Sequence, residues 1–330
     1  MPTEFRERTF AQAINEALRE EMERDERVLV LGEDVAEAGG VYKLTHGLLE
    51  RFGPERVLDT PISEAGIAGV AVGAALTGLR PVVEVMFGDF LTLAMDQLVN
   101  QAAKARYMSG GALCAPLVVR TTMGAGRRLA AQHSQSLHGW FAHVPGLKVA
   151  LPATPADAKG LLKSAIRCDD PVLFFEDKLM YGERGLVPVD DYSIPLGVAD
   201  IKREGRDLTL VATSSMVAVA LAAAEQLEHD DISAEVVDPR TLTPLDEATI
   251  IESVKKTSRC IVIDEGHLRF GAGAEIAALV ASNAFEFLDA PVERVCAMDV
   301  PVPFSPALED ETIPTVERVV AVARELLGWR

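Results

Sequence analysis

Short β-branched runs alternate with helical patterns along most of this 330-residue chain, and that alternation limits the folds open to it. In the first half the runs are 28–31, 81–86, 117–121, 148–151 and 172–176, and the helical patterns between them cover 10–24, 65–79, 91–107 and 155–166. Near-continuous apolar strands separated by helices predict a parallel sheet covered on both faces. From Tyr181 to Arg206 the pattern lapses into Gly, Pro and acidic residues, which reads as a connector. Beyond it the alternation restarts: 208–212, 218–227, 234–237, 245–254, 260–264, 274–281 and a last helix near 316–327. A chain of this length, 48% hydrophobic, exceeds the usual reach of one core. The expectation is an α/β protein of two domains, 1–185 and 207–330, joined by a linker over 186–206.

The formal net charge of -18 excludes whole classes of partner. Phosphate backbones and anionic lipid surfaces would be repelled, so no nucleic acid and no membrane partner is expected. The first 20 residues are charged and lack the apolar core of a secretion signal, and no run approaches the roughly 18–20 apolar residues of a membrane span. A cytoplasmic location follows as an expectation. Cys114, Cys168, Cys260 and Cys296 are widely separated, with neither metal-site nor redox-pair spacing, and read as reduced core residues.

One carboxylate stands out. Asp59-Thr60-Pro61-Ile62-Ser63-Glu64 places Glu64 between a strand-like run and a helix built almost wholly of Ala, Gly, Val, Ile and Leu. A carboxylate there either complements the positive end of the helix or, half-buried, holds its proton more tightly and takes part in proton transfer. His133 lies in a polar island, Gln132-His133-Ser134-Gln135, after the glycine-rich 123–128, and loops at strand ends are where open α/β sheets place their sites. His267 follows the run 260–264 and is the weaker candidate. His46, His138, His143 and His229 have no partner pattern and read as structural or surface residues. Gly271-Ala272-Gly273 and Gly66-Ile67-Ala68-Gly69 do not form a dinucleotide fingerprint, and phosphate-loop, nucleophile-elbow and H-E-x-x-H signatures are absent.

These stretches together resemble a family. Thr60-Pro61-Ile62-Ser63-Glu64, Gly32-Glu33-Asp34-Val35, Gln132-His133-Ser134-Gln135, Pro145-Gly146-Leu147-Lys148-Val149, Asp157-Ala158-Lys159-Gly160-Leu161-Leu162 and the run from Asp96 to Lys104 are similar to the beta subunit of the thiamine-diphosphate-dependent decarboxylase component of 2-oxo acid dehydrogenase complexes. The likeness runs from about Thr9 to the carboxyl terminus, through Asp238-Pro239-Arg240-Thr241-Leu242 and Pro303-Phe304.

The resemblance implies a thiamine-diphosphate-binding fold, a pyrimidine-binding domain followed by a transketolase C-terminal domain, and assembly of two beta with two alpha chains. It implies that the alpha subunit holds the diphosphate and a magnesium ion while the beta chain holds the aminopyrimidine ring. Glu64 then matches the glutamate that bonds a ring nitrogen, and Ile62, Met86 and Phe90 match positions lining the pyrimidine pocket, where the plainer reading is core packing. His133 matches the histidine that assists acyl transfer to lipoamide; an imidazole titrating near neutrality suits proton delivery to an opening dithiolane. Potassium in related chains sits among main-chain carbonyls at positions matching Leu117, Ala165, Ile166, Cys168 and Asp170, with Cys168 standing where relatives carry Asp.

Met86 and Phe90 are similar to pyruvate and acetoin types, whereas branched-chain relatives place Gln and Tyr there. The expected activity is therefore conversion of pyruvate, or in the alternative acetoin, with acetyl delivery to the lipoyl arm of an acyltransferase core. Two other readings compete: a non-catalytic module that docks that core, and a homodimeric ketol-transfer enzyme, disfavoured because the chain carries no diphosphate motif.

Overall fold

The computed structural model describes residues 4–328; Met1–Thr3 and Trp329–Arg330, the ends of the two expected domains, lie outside the described residues. The chain divides into two compact units, and the first is discontinuous: it comprises the residues up to Met123 and Phe141–Leu196, whereas Gly124–Trp140 groups with Gly197 onward.

In the first unit β1 (Phe5–Thr9) leads into α1 (Phe10–Arg24), followed by β2 (Val28–Gly32), α2 (Leu48–Phe52), β3 (Val57–Asp59), α3 (Glu64–Leu76), β4 (Arg80–Val85), α4 (Ala103–Met108) and β5 (Val118–Met123). The chain re-enters through α5 (His138–Ala142) and continues as β6 (Lys148–Ala150), α6 (Pro155–Arg167), β7 (Val172–Asp177) and β8 (Arg184–Pro188). Strands of this unit lie in the order β6-β7-β5-β4-β2-β3, all parallel, as the alternation predicts. Thr9 and Gln12 form a reciprocal capping box that starts α1 at Phe10. Helix α1 buries Phe10, Ile14 and Leu18 against Leu161 and Leu162 of α6 and against strand residues Val28, Val30 and Phe174.

Two departures from the expected pattern have local causes. The helix expected over 91–107 begins earlier and is irregular: a 3₁₀ turn at Gly88–Ala94, a π-helical turn at Asp96–Ala102, then α4. Gly88 makes the early start feasible, because a Cβ there would lie 2.7 Å from the carbonyl oxygen of Thr122 on β5. Part of the expected connector is a strand, since β8 pairs antiparallel with β1; each has only five residues, too few to give a periodic apolar signal.

The second unit continues with β9 (Asp200–Arg203), β10 (Leu208–Ala212), α7 (Met216–Glu228), β11 (Ala234–Asp238), β12 (Thr241–Thr243), α8 (Glu247–Thr257), β13 (Cys260–His267), α9 (Ala272–Asn283), β14 (Glu293–Ala297), α10 (Pro306–Thr312) and α11 (Val316–Gly328). Its sheet runs β14-β13-β10-β11-β9, parallel except for β9 at the edge. Val211, Val237, Ile250, Val254, Val262 and Ile276 form its core. Among the described residues no helix is long and apolar enough to cross a membrane.

Candidate active site

The carboxyl edge of the first sheet assembles the Glu64 region. Parallel pairing aligns Gly32 of β2 with Asp59 of β3 and with Glu84 of β4. Gly32 is required there, because a Cβ would stand 2.6 Å from the Glu84 carbonyl oxygen. Just past the edge, the Thr60 amide donates to the Gly32 carbonyl (2.9 Å), and Asp59 accepts from the amides of Ala36 (2.7 Å) and Glu37 (3.2 Å). The loop after Glu33 and the turn before Glu64 are thereby tied together. Ser63 caps α3 by accepting from the Gly66 amide, and Glu64 is the first helical residue, half-buried.

Glu33 is the acid that sequence reading left without a role. Burial pushes its carboxyl up, and the negative charges of Asp34 and Glu64 push it further in the same direction. The Glu64 charge thus disfavours ionisation of Glu33, with which it shares one edge. The signal was Gly32-Glu33-Asp34-Val35, quoted above only as a point of resemblance.

Strand β4 runs into Met86 and Phe87 and then into the 3₁₀ turn that carries Phe90. The Thr122 hydroxyl donates to the Met86 carbonyl (2.8 Å). Phe87 and Phe90 meet edge-to-face at 5.8 Å, and α3 packs on this turn, so Glu64, Met86 and Phe90 belong to one corner of the first unit. Met86 and Phe90 are half-buried. Ile62 is 74% exposed and Val70, farther along α3, is 65% exposed, so the α3 corner presents apolar surface.

His133 falls in the 124–140 segment and therefore in the second unit. Beside its loop a cleft of about 400 Å³ is lined by Ala131, Gln135, His267, Arg269, Asp299 and Val302. The His267 Nδ1 lies 2.7 Å from the Met298 carbonyl oxygen, which can only accept, so Nδ1 carries a proton. His138, expected to be structural or surface, is wholly buried, with Nε2 3.0 Å from Asp264 Oδ1, to which Thr213 also donates (2.8 Å). Burial would push the Asp264 carboxyl up, but His138 and the bonds from Thr213 and the Gly266 amide outweigh it and hold it below the usual range. A partner 126 residues away leaves no local trace in sequence.

The carbonyl positions matched to potassium lie in the first unit. The Arg80 guanidinium donates to the carbonyls of Ile166 and Cys168, each at 3.0 Å. Leu117 O accepts from the Val172 amide (2.9 Å) and Ala165 O from the Cys168 amide (3.2 Å). The Asp170 carboxylate pairs with Arg106 (2.6 Å) and Lys148 (3.3 Å).

Comparison with known proteins agrees with this architecture. Residues 6–183 match the model of the transketolase pyrimidine-binding domain and residues 197–319 that of the transketolase C-terminal domain. A solved structure described as a split-gene transketolase, an inactive beta4 tetramer, is similar at TM-score 0.79 and 25% identity, covering 97% of this chain and 98% of that one. The fold is therefore that of a two-domain transketolase-type chain. The subunit beta of acetoin:2,6-dichlorophenolindophenol oxidoreductase from Bacillus subtilis (strain 168) is 55% identical, over 97% of both chains. The subunit beta of the pyruvate dehydrogenase E1 component from Rhizobium meliloti (strain 1021) is 50% identical over 96% of this chain and 69% of its own length. The chain belongs to the beta subunits of thiamine-diphosphate-dependent E1 components of the pyruvate and acetoin dehydrogenase type.

Proposed function

We propose that this chain, paired with an alpha subunit as two alpha and two beta, converts pyruvate or, in the alternative reading, acetoin, and passes the acetyl unit to the lipoyl arm of an acyltransferase core in the cytoplasm. The observation that carries the reading is the coupling of Glu64 at the mouth of α3 to Glu33, whose carboxyl is pushed up. Glu64 is half-buried at the first position of α3 and in the same corner as Met86 and Phe90, a position from which a carboxyl can bond a heterocyclic nitrogen.

Thiamine diphosphate, when bound, supplies the carbanion-stabilising chemistry, and the protein binds, orients and tunes it. In this reading Glu64 holds a ring nitrogen, while Met86, Phe90 and Ile62 form an apolar wall that excludes water. The exposure of Ile62 supports a wall completed by another chain. The diphosphate and magnesium belong to the alpha subunit. His133 delivers a proton during acyl transfer.

Potassium would sit among the carbonyls of Leu117, Ala165, Ile166, Cys168 and Asp170. A carbonyl oxygen has two lone pairs, so an ion there would share the Ile166 and Cys168 oxygens with Arg80.

The test is acetyl transfer to a lipoyl domain by the co-expressed alpha and beta chains, supplied in turn with pyruvate, acetoin and a branched-chain 2-oxo acid. Transfer from one of the first two, lost in Glu64→Gln, supports the reading; full activity in Glu64→Gln refutes it. Calorimetric titration with thiamine diphosphate separates it from a docking module, which would give no binding heat.

A further inference from the structure

The loop that carries His133 does not hold its own shape. Between residues 124 and 130, Gly124 (φ 97°), Gly126 (φ 89°), Arg128 (φ 61°) and Ala130 (φ 61°) all occupy the left-handed region. Two of these are not glycine, and such residues enter that region only where the surroundings compel them. The first part of this loop is held by a set of acids far along the chain but within the same unit. The Ala125 amide donates to Glu265 and the Gly126 amide to Glu309, each at 2.6 Å. Arg128 reaches the other Glu309 oxygen at 2.9 Å, grips both oxygens of Asp310 at 2.7 and 3.0 Å, and donates to the Pro306 carbonyl at 3.2 Å.

This is not an ordinary surface ion pair. Glu309 is wholly buried, and its oxygens divide the work: one takes a loop amide, the other the guanidinium. Removing Arg128 strips the buried Glu309 carboxylate of its charged partner, whereas Arg128 is itself 35% exposed and also holds Asp310. It is therefore the burial of Glu309 that makes the contact resist opening more than an exposed pair does. Glu309 is itself fixed, because Thr312 donates to its carbonyl at 2.7 Å and the Met298 amide bonds the Thr312 carbonyl at 2.9 Å. A continuous set of hydrogen bonds thus runs from Arg128 to the end of α10.

We propose that the Arg128–Glu309 clamp is the positioning device of His133: helix α10, remote in sequence from every residue assigned to the chemistry, fixes the loop in the shape that acyl transfer to the lipoyl arm requires. This rests on the acyl-transfer role given to His133 above. Arg128 and Glu309 are positioning residues that act through His133.

The alpha–beta complex tests the clamp through two activities on one preparation, reduction of 2,6-dichlorophenolindophenol, which needs no lipoyl group, and acetyl transfer to a free lipoyl domain. Arg128→Ala and Glu309→Gln are each expected to slow transfer tenfold or more while dye reduction stays within twofold. Arg128→Lys should recover part of the loss, and the double variant should fall no further than the worse single one. Trypsin should cut Glu309→Gln faster at Arg127 and Arg128 than it cuts the parent. Transfer and dye reduction falling in parallel would show a role in folding alone and overturn the inference, as would unchanged transfer. His133→Ala separates the two levels. If it transfers normally, the His133 role fails and the clamp's purpose fails with it; if it is impaired while the clamp variants are not, only the clamp is refuted.

Discussion

His138 and Asp264 lie 126 residues apart in sequence, yet Nε2 of the histidine stands 3.0 Å from Oδ1 of the aspartate and 3.3 Å from Oδ2, with both side chains buried. Breaking a buried charged contact by removing one partner costs about 3–5 kcal/mol. His138→Ala is therefore expected to destabilise the second unit by that order, measured as a lower urea midpoint. Asp264→Asn, which keeps an acceptor, should cost less.

The same pair sets a pH limit. The Asp264 carboxyl is held below its ordinary value, so the folded state binds its proton more weakly than the unfolded chain. The resulting stabilisation is complete above the unfolded value near pH 4 and is lost as pH falls through the folded value. Urea midpoints measured between pH 6 and pH 3 should drop more steeply below about pH 4 in the parent than in Asp264→Asn; parallel curves would remove Asp264 from acid unfolding.

Gly266 sits against this contact without room to grow. A Cβ on it would come within 2.7 Å of Asp264 Oδ2 and 3.4 Å of His138 Cε1. Overpacking of this kind costs about 1–3 kcal/mol, so Gly266→Ala should lower the melting temperature, and combining it with His138→Ala should give less than the sum of the two losses.

In the first unit Arg120 is buried and bonds Glu176 through two nitrogens, each at 2.8 Å, and Glu84 at 2.9 Å. Tyr181 donates to the same Glu176 at 2.8 Å. Burial pushes the Glu176 carboxyl up despite Arg120, so removing the guanidinium leaves that buried acid without its charged partner. Arg120→Leu is expected to cost about 3–5 kcal/mol, read as a fall in melting temperature. Adding Glu84→Gln should restore part of it.

Potassium can be tested without activity. If an ion shares the Ile166 and Cys168 carbonyls with Arg80, stability rises with its concentration as mass action requires. At equal ionic strength the melting temperature should be higher in KCl than in NaCl, and Arg80→Ala should change that difference. Identical melting curves in the two salts would eliminate the ion.

The apolar runs determined the α/β class, the positions of α1, α3, α6 and most parallel strands, because burial on both faces imposes a pattern that survives in one dimension. Position along the chain picked out Glu64 and His133, and the resemblance added Ile62, Met86 and Phe90. What the sequence did not carry was who stands beside whom. Glu33 becomes a partner of Glu64 only through the parallel register of β2 and β3. Strands β1 and β8 pair as a ribbon of five residues each, too short for periodicity to reveal. His138 finds Asp264, and the His133 loop finds Glu265 and Glu309, across long stretches of chain. Periodicity encodes which face is buried, whereas hydrogen bonds and charge coupling depend on distances of a few ångströms between remote residues, and only tertiary packing sets those.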